Sequence, residues 1–149
     1  KLRIIVLDQI TDSRNVGAII RSSKAFGCNA IIVTKHNAPS ENGSLARAAA
    51  GALEDVPIIT VTNLNRAIET LKSNAVSCIG LDSSGESELD SFRMERRLAL
   101  IMGSESTGMR RLTKQACDNI VTIPMRNQTE SLNVSVASAI ALYATQIQD

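Results

Sequence analysis

Tryptophan is absent from this 149-residue chain, and only Phe26, Phe92 and Tyr143 are aromatic. That supply is too thin for the base-stacking platforms of an OB-fold or an RRM. The sole histidine, His36, lies in a polar stretch with no cysteine nearby. Neither a zinc site nor a Ser/His/Asp triad can be assembled around it, so no metal is expected and His36 reads as a surface residue. Cys28, Cys78 and Cys117 are odd in number and widely scattered, which suits buried free thiols in a reducing compartment and makes the cytoplasm the expected location. An excess of one charge is also missing: 16 Lys and Arg face 15 Asp and Glu, a net +1. Phosphate neutralisation supplies most non-specific affinity for nucleic acid, so binding to DNA or RNA through bulk electrostatics is not expected. The clusters Arg93, Arg96, Arg97 and Arg110, Arg111, Lys114 read as solvated faces. No apolar run is long and uncharged enough to span a bilayer, and the opening run is too short for a signal peptide.

What is present suits one domain with a core of its own. Short β-branched runs at Leu2 to Leu7, Ala30 to Thr34, Ile58 to Val61, Val76 to Leu81, Leu98 to Met102 and Ile120 to Ile123 read as buried strands. Helical patterns separate them, at about Asn15 to Phe26, Leu45 to Leu53, Leu64 to Ser73, Met109 to Ala116 and Ser131 to Gln146. The alternation predicts an α/β fold: a mostly parallel sheet with helices on both faces. The last helix carries an apolar stripe at Leu132, Val136, Ile140, Ala144 and Ile147, and a small-residue surface at Ala137, Ala139 and Ala141 fit for the core or for a dimer contact. Ser83 to Glu95 reads as a surface excursion, and Lys35 to Gly43 as a polar loop.

Three segments have the makings of a site. After the first strand, Asn15 and Gly17 open a helix, and Arg21 lies nearly two turns on, with a side chain long enough to reach back over that end. The plain alternative is an Asn cap, a glycine for close backbone approach and a surface arginine. After the fifth strand comes Gly103-Ser104-Glu105-Ser106-Thr107-Gly108-Met109. Met109 stands where a Walker A loop requires lysine, which rejects nucleoside triphosphates, and the chain has no GxGxxG motif. Near the C-terminus, Ile123-Pro124-Met125 leads through Arg126-Asn127-Gln128-Thr129-Glu130 to Ser131-Leu132-Asn133-Val134-Ser135. A helix capped by Ser131 explains the apolar stripe but not Asn133 and Ser135, both poor helix formers, in its first turns. Such groups at a strand's carboxyl end suit a ligand site.

In their order and spacing, Asn15-x-Gly17-x-x-x-Arg21, Gly103-x-Glu105-x-x-Gly108 and Ile123-Pro124-Met125 with Ser131-Leu132-Asn133-Val134-Ser135 resemble the motifs of the SpoU (TrmH-like) branch of the SPOUT RNA methyltransferases. Gly51 to Pro57 and Val61 to Leu64 further resemble its RlmB-type subgroup, which methylates a guanosine ribose in large-subunit ribosomal RNA. The resemblance implies S-adenosylmethionine as methyl donor, transfer to a ribose 2′-hydroxyl, a homodimer and a deep C-terminal trefoil knot. By the family's motifs, Gly103, Ser104, Ile123, Met125, Leu132 and Asn133 would hold the cofactor, largely through backbone atoms. Asn15, Arg21, Glu105, Ser131 and Asn133 match the active-site positions. A guanidinium has a pKa above about 12, so Arg21 fits a phosphate-binding role that acidifies the hydroxyl better than that of a base.

Two departures stand out. Family members commonly carry glycine in the loop where this chain has Arg126 to Glu130. Many also carry an N-terminal RNA-binding domain, whereas residues 1–149 correspond to the catalytic domain alone. Competing readings are a transfer-RNA 2′-O-methyltransferase, a non-catalytic RNA-binding protein that retains the fold, and a flavodoxin-like binder of small ligands; intact motifs favour methylation, and ribosomal RNA is preferred as substrate.

Overall fold

The structure is a computed structural model, which describes residues 1–38, 43–49, 51–91, 95–126 and 131–146, without the side chains of Gly43, Ser44 and Ala46. Its strands are β1 (Leu2–Asp8), β2 (Ala30–Thr34), β3 (Ile58–Val61), β4 (Ser77–Leu81), β5 (Ser87–Glu88), β6 (Arg97–Gly103) and β7 (Asn119–Thr122). Its helices are α1 (Ser13–Ala25), α2 (Gly43–Ala49), α3 (Leu64–Ser73), α4 (Arg111–Ala116) and α5 (Val134–Ala144).

Among the described residues all strand pairings are parallel, in the order β3-β2-β1-β6-β4-β7-β5. Parallel strands need crossovers, and the crossover helices cover both faces of the sheet, so its central strands are buried throughout. The period of two then divides each strand between two cores. Ile5 and Leu7 of β1, with Leu98, Leu100 and Met102 of β6, pack against Ile19 and Ile20 of α1, Leu45 of α2 and Leu142 of α5. Ile4 and Val6, with Ala99 and Ile101, face Leu64 and Ile68 of α3. Each fully buried Ile or Leu contributes about 1.5–3 kcal/mol. No helix among the described residues is long and apolar enough to cross a membrane.

The strand order reverses between β1 and β6, which leave their carboxyl ends side by side, Asp8 opposite Gly103. In an open parallel sheet a crevice forms there.

Several local expectations need correction. Asp12, not Asn15, caps α1, its carboxylate accepting from the amides of Arg14 and Asn15. Asn133, not Ser131, caps α5, its Oδ1 accepting from the amides of Ser135 and Val136. The helix expected over Leu45 to Leu53 stops at Ala49; Gly51, at φ +81, diverts the chain into a single 3-10 turn, Ala52–Glu54. The helix expected from Met109 starts only at Arg111. Within the expected excursion at Ser83 to Glu95, Ser87 and Glu88 add an edge strand beside β7, too short and polar to leave an apolar signal. The apolar stripe of α5 does not face the core: Val136 and Ile140 are exposed, as is Tyr143, while Val134, Ser138, Ala141 and Leu142 are buried. Of the expected stripe, Ile147 lies outside the described residues, as do Phe92, Arg93 and the loop residues 127–130. Cys28 and Cys78 are buried free thiols and Cys117 is half-buried; His36 is exposed.

Gly17 marks where α1 meets α2. A Cβ there would stand 2.4 Å from Ala48 Cβ and 3.0 Å from the Ala49 amide nitrogen. Alanine is favoured over glycine in a helix by about 1 kcal/mol, but overpacking costs about 1–3 kcal/mol. Gly17→Ala should therefore lower stability to urea, and an unchanged or higher midpoint would show that the two helices can part freely.

Candidate functional site

The site is built on the turn that follows β6. Beyond Gly103 the chain doubles back: the Gly108 amide donates to the Ser104 carbonyl at 2.8 Å, and the Ser104 and Thr107 hydroxyls lie 2.7 Å apart. A Cβ on Gly103 would sit 2.1 Å from the Met109 nitrogen and 2.3 Å from the Gly108 carbonyl carbon, so only glycine fits. Gly108, at φ +67, makes the left-handed bend that closes the turn.

A buried carboxylate pins the far side. Asp8 Oδ2 accepts from the Arg110 amide at 2.8 Å and Oδ1 from Arg110 Nε at 2.8 Å. The Asp8 side chain is wholly buried and that of Arg110 is 45% exposed, so the arginine keeps much of its hydration while satisfying both carboxylate oxygens. Arg110 is thus no member of a solvated face. An aspartate ending an otherwise apolar buried strand was the available signal, since a buried charge requires a partner.

A cavity of about 460 Å³ opens between four segments: 81–84 after β4, 102–109 around the turn, 122–125 after β7 and 131–137 entering α5. It brings together Gly103, Ser104, Ile123, Met125 and Leu132 of the expected cofactor residues, with Glu105 and Ser131 of the expected active site. Mixed apolar and polar walls and this volume suit a nucleoside-sized ligand.

Asp82 and Lys114 also line this cavity and escaped the sequence reading. Asp82 Oδ1 accepts from the Ser84 amide at 2.9 Å, the Ser84 hydroxyl at 2.6 Å and Lys114 Nζ at 3.1 Å, and Lys114 also donates to the Ser84 hydroxyl at 2.6 Å. Burial pushes the Asp82 carboxyl up, but the Ser84 hydrogen bonds and Lys114 outweigh it and hold the group below its ordinary range. Lys114, too, is therefore engaged rather than solvated.

A second cavity, about 540 Å³, lies across the 104–107 turn, where Gln9 to Asp12 and Asn15 form the opposite wall. Gln9, at φ +58, holds a left-handed conformation uncommon for a side chain of its kind. Asn133 joins the segments. Its Nδ2 donates to Asn15 Oδ1 at 3.1 Å and to Glu105 Oε2 at 3.3 Å, while its Oδ1 caps α5 and accepts the Ser135 hydroxyl at 2.5 Å. One amide therefore meets all three sequence motifs. This accounts for Asn133 and Ser135 at a helix start, although Asn133 lines neither cavity.

Arg21 stands apart. It is exposed on α1, lines neither cavity and makes no hydrogen bond or ion pair with the described residues. No group of three potential metal ligands occurs among the described residues.

Removing the cap in Asn133→Ala should cost about 1 kcal/mol in urea unfolding, whereas Asn133→Ser keeps an acceptor for the helix amides and most of that stability. Equal stability of wild type and the alanine variant would refute the capping role. Asp82 has a pH signature as well. Its folded-state pKa is depressed, so the stabilisation is complete above the unfolded value of about 4 and fades as pH falls through the folded value. Asp82→Asn should accordingly destabilise the fold near neutrality and progressively less in acid; a constant gap between the two stability curves would contradict this.

The family model for the SpoU rRNA Methylase family matches residues 2–143. A 23S rRNA (guanosine-2′-O-)-methyltransferase, RlmB, of Neisseria meningitidis serogroup B is 43% identical over 145 residues, covering 97% of this chain and 58% of that protein. RlmB of Escherichia coli K12 is 42% identical over 140 residues, covering 94% of this chain and 58% of its own. The chain thus spans 58% of the length of these relatives. Among solved structures, the SpoU methyltransferase AviRb from Streptomyces viridochromogenes, in complex with the cofactor AdoMet, superposes with a TM-score of 0.89 at 26% identity, covering 97% of this chain and 56% of that one.

Proposed function

The chain belongs to the SpoU rRNA Methylase family, and we propose that it transfers the methyl group of S-adenosylmethionine to the 2′-hydroxyl of a guanosine in 23S ribosomal RNA, as a cytoplasmic homodimer. The observation that carries this reading is Asn133, whose amide reaches Asn15 at 3.1 Å and Glu105 at 3.3 Å beside the glycine-floored cavity. The relatives named for 23S rRNA support the choice of substrate.

In this reading Gly103, Ser104, Ile123, Met125 and Leu132 hold the cofactor in the first cavity, where the missing Gly103 side chain lets the backbone of Gly108 and Met109 close the turn that lines it. Bound there, the cofactor supplies a methyl group on a sulfonium, a good leaving group. The protein's task is to align a ribose oxygen with that methyl group. Asn15 and Glu105 orient the ribose from the second cavity, Asn133 holds both of them in place, and Ser131 lines the first. Arg21 binds the adjacent phosphate and lowers the effective pKa of the 2′-hydroxyl, with phosphate or water accepting the proton. Because Arg21 lies outside both cavities, it does this where RNA, or a second protomer, is brought against α1.

A trefoil knot belongs to the same proposal. It rests on the resemblance of the three motifs to the SpoU branch. The homodimer is supported by the outward apolar row on α5, with Val136 48%, Ile140 38% and Tyr143 68% exposed.

With methyl-labelled S-adenosylmethionine and ribosomal RNA from cells lacking the modification, label should appear in 2′-O-methylguanosine after digestion to nucleosides. Arg21→Ala and Asn133→Ala should each slow transfer by about 10²-fold or more, the scale of losing one positioned polar group. Label on a base, or full transfer by both variants, would sink this mechanism. Ile140→Glu should convert a dimer to a monomer in sedimentation, and an unchanged sedimentation coefficient would place the interface elsewhere.

A further inference from the structure

The first cavity contains a polar group that none of the three motifs uses. Asp82 Oδ1 is saturated, accepting from the Ser84 amide, the Ser84 hydroxyl and Lys114 Nζ. Oδ2 of the same carboxylate has no donor among the described residues. The side chain nevertheless keeps 15% of its surface exposed and lines the cavity, so this oxygen opens onto the space a ligand would fill. Gly108 keeps it open, because a Cβ there would stand 3.2 Å from Oδ2.

We propose that Asp82 Oδ2 accepts hydrogen bonds from the ribose cis-diol of the methyl donor, which makes Asp82 a specificity-determining residue for a ribonucleoside cofactor. The proposal rests on the cofactor reading above and assigns one of its contacts to a side chain outside the motifs. A carboxylate oxygen offers two lone pairs and no proton, and a cis-diol offers two neighbouring hydroxyl donors. Charge selects the diol over the cofactor's ammonium group. Lys114 Nζ, 3.1 Å from Oδ1, already neutralises Asp82 and would repel a second cation, whereas a neutral diol can also accept from Lys114. Position agrees with charge. Asp82 and Lys114 line only the first cavity, away from the Asn15 wall of the second, toward which the methyl group must point. The depressed pKa of Asp82 keeps the acceptor ionised across the neutral range.

The test is calorimetric binding of S-adenosylhomocysteine and its 2′-deoxy and 3′-deoxy analogues. In the wild-type protein, loss of either hydroxyl should weaken binding by about 10-fold or more, as for a hydrogen bond to a charged group. Asp82→Asn should weaken the parent ligand by a similar factor and bind all three alike. Lys114→Met, which keeps Oδ2, should still discriminate, and it preserves the test if the Asp82 variant fails to fold. Equal wild-type affinity for the three ligands would overturn the proposal, as would discrimination that survives in Asp82→Asn. 5′-Deoxy-5′-methylthioadenosine has the diol but no amino-acid tail; its binding should still depend on Asp82, and loss of that dependence would mean that the carboxylate holds the ammonium instead. Absence of any S-adenosylhomocysteine binding would overturn the cofactor reading and this proposal with it.

Discussion

The site depends on how closely the chain approaches itself at Gly103. Backbone of residues 108 and 109 lies where any side chain at 103 would be, 2.1 Å from a hypothetical Cβ. That contact holds the turn after β6 against the strand it leaves. From it follow the floor of the first cavity, the direction of Glu105 and the position of Arg110 over Asp8. Asp8 completes the clamp from the neighbouring strand. Since β1 and β6 pair in parallel with Asp8 opposite Gly103, the clamp and the cavity share the point where the strand order reverses. Fold and site are therefore one arrangement here.

Two polar devices shape that end of the sheet in different ways. Asp8 is wholly buried and both of its oxygens are satisfied from within, which suits a structural brace. Asp82 has one oxygen saturated and the other open to the cavity, which suits recognition. Asn133 is a third case, with its carbonyl committed to the helix amides and its amide group turned to Asn15 and Glu105. A side chain with two chemically distinct ends can hold a helix and a site at once, which serine at this position could not do.

Much of this was legible in the sequence. Six of the seven strands among the described residues follow from β-branched runs, and the parallel sheet follows from their alternation with helices. Gly103, Ser104, Ile123, Met125 and Leu132 could be grouped through motif resemblance, and they do line one cavity. The errors share a physical origin. Caps depend on backbone geometry, so Asp12 and Asn133 displaced the expected Asn15 and Ser131. The α5 stripe is apolar at helical spacing, which identifies a face but not what that face meets. Arg110 and Lys114 looked like solvent-facing charges because their partners, Asp8 and Asp82, lie 102 and 32 residues away in the chain.

The sequence by itself determined the element types, the α/β class and the motif residues, because periodicity and turn chemistry act over a few residues. Only the tertiary structure decided which polar groups share a space. It joined Asn15, Glu105 and Asn133, left Arg21 outside, and turned Asp82 toward the cavity beside Gly108. The reason is that strand order, which no local pattern encodes, sets the neighbours at the sheet's carboxyl end.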